Sequence, residues 1–236
     1  MSKGKLYMIP TPMGESDLNH IFPKNNWEII KGIKYFVVEN LRTARRFLKL
    51  IDKSIVIDDL HFEVLDKRTK YEEFQNFLRP INEGFDVGML SEAGCPGVAD
   101  PGAEIALIAH QNNLDVVPLI GPSSILLAQM GSGLNGQNFA FVGYLPIKGN
   151  APIKELQKLE NRSRQENQTQ IFIEAPYRNM QLLEFMLKTL SPQTKLCIAT
   201  GLTTEQEYIK TKTIKQWKGN LPSIHKIPTI FLFLAK

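Results

Sequence analysis

Three glutamates stand where apolar runs end: Glu39 in VVEN, Glu92 in MLSEAG and Glu174 in IFIEAP. A carboxylate at the end of a strand can take a proton from a hydroxyl, accept from ribose hydroxyls or offset a cationic ligand. Arg178 follows Glu174 by four residues, a spacing that suits either an ion pair opening a helix or a grip on a substrate phosphate. Around these residues lie three loops of small residues: PTPMG, SEAGCPGVADPG and GPSS. Glycine and alanine in such loops let backbone amides come close to a ligand. None of the loops has the G-x-G-x-x-G spacing of a nicotinamide site, and no G-x-x-x-x-G-K-[ST] occurs.

Strand and helix alternate in the order that would carry these loops. KLYMIP, KYFVVEN, SIVIDD, FDVGML and LDVVPLI read as strands. NNWEIIKGI, LRTARRFLKLI, YEEFQNFLRPINEG and AEIALIAHQNN read as helices; Phe47, Leu48 and Ile51 share one face of the second, and Gly84 closes the third. A second series follows: a helix opening at GPSS with Ser123 or Ser124 as its cap, the strand FAFVGYLP and the helix PIKELQKLENRSRQE. After these come TQIFIEAP, the helix YRNMQLLEFMLKTL, and the strands TKLCIATGL and IPTIFLFLA. The pattern predicts a largely parallel α/β architecture in two domains, residues 1–120 and 121–236. In open sheets of this kind ligands bind beyond the carboxyl ends of the strands, where the three small-residue loops fall.

The composition is that of a globular protein: 236 residues, 43% hydrophobic, 22% charged and a net charge of +4. No run approaches the about 18 apolar residues of a membrane span, and Pro10 and Pro12 interrupt the only candidate signal segment. Cys95 and Cys197 lack C-x-x-C spacing, and His20, His61, His110 and His225 lack ligand spacing. The expectation is a cytoplasmic protein without a disulfide framework or a metal. Basic residues gather in three clusters: Arg42, Arg45, Arg46 and Lys49; Lys148, Lys154, Lys158, Arg162 and Arg164; and Lys210, Lys212, Lys215 and Lys218 near Trp217. Each is either a solvated face or a set of phosphate contacts.

LYMIPTPMGE, VVENLRTARRFL, MLSEAGCPGVADPG, PLIGPSSILLAQMGSGL, FAFVGYLP and FIEAPYRNM, in that order over nearly the whole chain, resemble the signatures of the tetrapyrrole methylase superfamily. The resemblance implies a two-domain α/β fold that binds S-adenosylmethionine (SAM) in an interdomain cleft. It also implies a homodimer. Carried over onto this sequence, Ser91, Glu92, Ala93 and Gly94 approach the cofactor, with Val98 beneath it and Pro12 from the first loop. Ser123 and Ser124 fall at the methionine or ribose contact, and Ala175 and Pro176 at the next. Leu202, Pro228, Thr229 and Ile230 fall where the second domain reaches the adenosine, and Glu39, Glu174 and Arg178 are the catalytic candidates.

The branch of the superfamily that this sequence resembles most methylates the 2′-hydroxyl of a cytidine in small-subunit ribosomal RNA. Against that branch, Glu92 replaces an aspartate, Asn40 and Leu41 replace an aspartate and a threonine, and TGLTT (Thr200–Thr204) stands in place of R-E-L-T-K. The branch also tends to carry a C-terminal extension beyond the position of Lys236. These departures leave two acceptors in view: ribosomal RNA, or a tetrapyrrole or other small molecule.

Overall fold

The computed structural model describes residues 3–65, 69 and 71–236. The chain forms two compact units, Met1–Ser123 and Ser124–Lys236.

The first unit runs β1 (Lys5–Ile9), α1 (Leu18–Ile21), α2 (Lys24–Gly32), β2 (Tyr35–Val38), α3 (Leu41–Ile51) and β3 (His61–Val64). It continues with α4 (Tyr71–Phe77), α5 (Arg79–Asn82), β4 (Val87–Leu90), α6 (Gly102–Gln111) and β5 (Asp115–Pro118). Its sheet has the order β3-β2-β4-β1-β5, and every pairing is parallel. A parallel sheet needs both faces covered, and alternation along the strands supplies two cores. Leu6, Val37 and Met89 pack with Phe77, Ile81 and Ile105, whereas Ile9, Phe36 and Leu90 pack with Ile30, Phe47 and Leu48. Each of these large apolar side chains contributes about 1.5–3 kcal/mol on leaving water. At Gly88 a Cβ would stand 2.8 Å from Ile9 Cδ1 and 2.9 Å from Phe36 Cδ1, so only glycine lets these two side chains cover β4.

The second unit runs α7 (Ser124–Ser132), β6 (Phe139–Tyr144), α8 (Ala151–Glu166), β7 (Thr169–Ile173) and α9 (Asn179–Thr189). β8 (Lys195–Thr200), β9 (Tyr208–Thr213), α10 (Ile214–Trp217) and β10 (Thr229–Leu234) complete it. Its sheet has the order β6-β7-β10-β8-β9. Phe172, Phe231 and Phe233 are fully buried and pack with Leu156, Leu183, Met186 and Trp217. The Trp217 indole N–H donates to the Leu196 carbonyl at 2.8 Å, which settles the one polar atom that this ring brings into the core.

Three expectations need correction. SIVIDD is not a strand: Ile57–Asp59 form a 3₁₀ turn, and the edge strand is HFEV, paired Tyr35↔His61 to Val38↔Val64. The acidic pair Asp58–Asp59 ends the apolar run and suits a turn better than a ladder. The helix expected over YEEFQNFLRPINEG is two helices, divided at Leu78 because Pro80 cannot donate within a helix interior. The second sheet is not largely parallel. Only β6–β7 is; β7–β10, β10–β8 and β8–β9 are antiparallel. The difference comes from β9, whose sequence YIKTKT alternates β-branched residues with lysines and reads as a basic patch when its periodicity is overlooked.

Candidate active site

β1 and β4 are parallel neighbours, so the loops that follow them leave the sheet side by side at its carboxyl edge. Two backbone bonds join them: Thr11 N–H to the Gly94 carbonyl at 2.9 Å, and Gly94 N–H to the Thr11 carbonyl at 3.0 Å. Side chains tighten the same junction. Thr11 Oγ1 donates to the Ser91 carbonyl at 3.1 Å, and Ser91 Oγ to the Gly94 carbonyl at 2.9 Å. Gly94 has φ +76°, a left-handed conformation that glycine adopts without strain. Further along, Asp100 Oδ1 accepts from the N–H groups of Gly97 and Gly102, both at 2.7 Å, and so folds the loop back onto the start of α6. The density of small residues between Leu90 and Gly102 is therefore that of a backbone knot, with Ala93 and Val98 exposed on its outer side.

The carboxylates meet at this edge. The Glu92 backbone N–H donates to Glu39 Oε1 at 3.1 Å, and Thr43 Oγ1 donates to Glu92 Oε1 at 3.0 Å. Glu39 follows β2 directly, and Asn40 caps α3 by accepting from Arg42 N–H and Thr43 N–H. The cap turns Thr43 toward the β4 loop. Burial holds the Glu39 carboxyl above the usual carboxylate range; the bond from Glu92 opposes this, and the charges of Asp100 and Glu92 add to it. Asp100 is likewise pushed up by burial against its two backbone bonds.

A cavity of about 590 Å³ opens beside these groups in the first unit. Pro12 and its neighbours in the β1 loop, Ser91–Ala93, and the α3 residues Thr43, Arg46, Phe47 and Leu50 line it. Of the residues singled out from the sequence, Pro12, Ser91, Glu92 and Ala93 share this cavity. Gly94 lies in the knot, Glu39 is bonded to Glu92, and Cys95 Sγ reaches the Pro122 carbonyl at 3.5 Å, beside Ser123. Sequence reasoning missed Thr43 and Leu50, and singled out Arg46 only as part of a basic cluster. Their signal was the amphipathic turn of α3 next to Glu39, which shows which face is buried but not what the other face borders.

In the second unit the remaining candidates gather where the carboxyl ends of β7 and β8 meet the start of β10. Glu174 Oε1 accepts from Ala175 N–H at 2.7 Å and from Arg178 Nε and Nη2 at 2.9 and 2.5 Å. The Pro228 carbonyl accepts from Gly201 N–H at 3.0 Å, and the Pro176 carbonyl from Lys226 N–H at 3.0 Å. Asn179 Nδ2 donates to Thr229 Oγ1 at 3.1 Å and to the Ile227 carbonyl at 2.7 Å. Leu202, Thr229 and Ile230 are buried, and Ser124 opens α7.

The residues of the first unit fit a SAM-sized ligand in chemistry. Pro12, Ala93 and Val98 offer apolar surface, and Glu39 and Glu92 offer acceptors for ribose hydroxyls or compensation for a sulfonium. The sequence model of the family "Tetrapyrrole (Corrin/Porphyrin) Methylases" matches residues 5–218. The chain belongs to the tetrapyrrole methylase family. Members of the family use SAM as methyl donor, which makes this chain a SAM-dependent methyltransferase. Among its relatives, ribosomal RNA small subunit methyltransferase I of Synechocystis sp. is 27% identical over 92% of this chain and 71% of its own. The protein of the same name from Vibrio cholerae is 29% identical over 87% of this chain and 67% of its own. In fold the chain is similar to the methyltransferase CobJ, with a TM-score of 0.65 and 17% identity over 98% of this chain and 94% of that one. It is also similar to uroporphyrin-III-C-methyltransferase from Thermus thermophilus, with a TM-score of 0.56 and 17% identity over 98% and 92%. Among the described residues no helix is long and apolar enough to cross a membrane.

Proposed function

We propose that this methyltransferase transfers the SAM methyl group to the 2′-hydroxyl of a cytidine in small-subunit ribosomal RNA. The observation that carries the reading is the Glu39–Glu92–Thr43 chain of hydrogen bonds beside the 590 Å³ cavity. A ribose hydroxyl is a poor nucleophile until its proton has an acceptor, and a half-buried carboxylate with a raised pKa is a better acceptor than an ordinary one. The names of the relatives, over most of the chain, supply the acceptor class.

In this reading SAM supplies a methyl group on a positively charged sulfur, so positioning provides much of the acceleration. The β1 and β4 loops, through Pro12, Ser91, Glu92, Ala93, Gly94 and Val98, hold the cofactor with Ser123. Glu39 takes the hydroxyl proton; the Glu92 backbone N–H keeps its carboxylate oriented, and Thr43 holds the Glu92 side chain beside it. Ser124, Ala175, Pro176, Leu202, Pro228, Thr229 and Ile230 remain the cofactor positions proposed for the second unit. There the Arg178 guanidinium is committed to Glu174 through two nitrogens, so we assign this pair the task of positioning Ala175 and Pro176 rather than proton transfer. The working form is a cytoplasmic homodimer, checked by sedimentation equilibrium.

The alternative acceptor is a tetrapyrrole, favoured by the family and by the departures at Asn40, Leu41 and Thr200–Thr204. Labelled SAM, offered with small ribosomal subunits from cells lacking the protein and with a tetrapyrrole precursor, separates the two. Label in the subunit RNA supports the proposal, and label confined to the tetrapyrrole overturns it.

A further inference from the structure

The three basic clusters differ in a way that the sequence does not show. On α8 three of the four cations are answered along their own helix, Lys158 by Glu155 at 3.4 Å, Arg162 by Glu166 at 3.3 Å and Arg164 by Glu160 at 3.9 Å, which leaves Lys154 alone among the described residues. On α3, Arg42, Arg45, Arg46 and Lys49 stand at i, i+3, i+4 and i+7, all exposed and on one stripe. Among the described residues none of these four has a carboxylate within 4.0 Å. The acids nearest in the chain have partners already: Glu39 and Glu92 in their own chain of bonds, and Asp52 with Lys31 at 3.9 Å. Lys49 adds to the positive field on Asp52 and donates to the Lys53 carbonyl at 3.0 Å. Among the described residues the cluster of β9 and α10 also has no ion pair, but it is made of lysines, and Lys212 sits over the buried Trp217 ring at 4.6 Å.

We infer that the exposed stripe of α3 is the surface that grips the RNA backbone, with Arg46 delivering the strand to the cavity beside Glu39 and Glu92. The inference rests on the RNA reading above. Arginine suits the task, since its planar fork matches phosphate oxygens and is more weakly hydrated than an ammonium. Arg45 is placed in advance by its stacking over the Phe62 ring at 5.6 Å, which lowers the ordering cost of a phosphate contact. Arg46 lines the cavity, and Thr43 and Leu50, on the same helix, flank it there. From Arg42 to Lys49 the stripe rises about 10 Å, at about 1.5 Å per residue, enough for about three successive phosphates of one strand. The carboxylates at the amino end of α3 face the reacting hydroxyl, and the guanidinium groups beyond them face phosphates.

The test is binding of isolated small-subunit ribosomal RNA as a function of salt, with SAM binding and the melting temperature measured on the same proteins. The triple variant Arg42→Ala/Arg45→Ala/Arg46→Ala is expected to flatten the slope of log affinity against log salt by about 2 to 3, at about 0.7–0.9 per lost phosphate contact. Its affinity is expected to fall at least about tenfold near 0.15 M salt, and the double variant Arg42→Ala/Arg45→Ala, which spares the cavity-lining Arg46, is expected to flatten the slope by about 1.4 to 1.8 with SAM binding intact. The triple Lys158→Ala/Arg162→Ala/Arg164→Ala is expected to keep the wild-type slope, and Arg→Lys replacements at the three α3 positions to restore most of it. Arg42→Glu, at an exposed position outside the core, repeats the test should the triple variant fold poorly. An α3 variant with the wild-type slope, in a protein that does methylate the subunit, overturns the surface and leaves the function standing. A wild-type protein that neither binds the RNA nor labels the small subunit overturns both.

Discussion

Glu92 and Glu39 meet through one hydrogen bond, from the backbone N–H of the first to Oε1 of the second at 3.1 Å. The contact ties the β4 loop to the end of β2 and leaves the second oxygen of Glu39 for other work. Burial raises the Glu39 pKa above the ordinary carboxylate range. A base must be ionised to act, so activity should rise with pH through a limb that lies above that range. Glu39→Gln should lower kcat by about 10²–10⁴-fold and abolish the limb, while SAM affinity changes little. A pH–rate profile of the two proteins checks this, and near wild-type turnover in the variant would contradict it.

Asp100 separates charge from hydrogen bonding. Its folded pKa is raised, so its contribution to stability is present at low pH and is lost as pH rises through the folded value. Asp100→Asn keeps an oxygen for Gly97 N–H and Gly102 N–H but removes the buried charge. The asparagine protein should melt at or above the wild-type temperature at neutral pH, with the difference vanishing in acid. Asp100→Ala, which loses both bonds, should cost about 1–2 kcal/mol. Because the Asp100 charge also raises Glu39, the asparagine variant should move the acidic limb of activity to lower pH.

Most of the elements were legible because local signals agreed with tertiary demands. LRTARRFLKLI is α3 to the residue, with Phe47, Leu48 and Ile51 all buried as their spacing requires. The failures have equally local causes. HFEV carries a charge and pairs along only one edge, which made its strand hard to see, and Pro80 broke a helix whose periodicity continues beyond it. Antiparallel pairing in the second sheet was hidden because β9, YIKTKT, which turns the chain back beside β8, reads as a basic patch. At the candidate site the loops could be read from their small residues. The Thr11–Gly94 bridge and the Thr43–Glu92 bond could not, because they join residues 83 and 49 positions apart.

The bridge gives a sharp test of the knot. At Gly94 a Cβ would have only the Pro122 carbonyl oxygen nearby, at 3.8 Å, so the cost of Gly94→Ala is conformational. With φ at +76° it should amount to about 1–2 kcal/mol, with weakened SAM binding. Thermal unfolding and calorimetric titration with SAM measure the two effects. An alanine protein with unchanged melting would mean that the loop relaxes without strain.

Thr43 and Glu92 should behave as a coupled pair. Thr43→Val and Glu92→Ala, singly and together, form a cycle whose coupling in SAM affinity or turnover should be about 0.5–1 kcal/mol, the scale of a partly exposed hydrogen bond. Additive effects would show that Thr43 does not orient Glu92.

The central claim is tested most directly by nucleoside mass spectrometry of small-subunit RNA, taken from cells lacking the protein and incubated with the purified enzyme and SAM. The account predicts one new 2′-O-methylcytidine with the wild-type protein and none with Glu39→Gln. A methyl group on a base, or RNA left unmodified while a tetrapyrrole precursor is methylated, would contradict it.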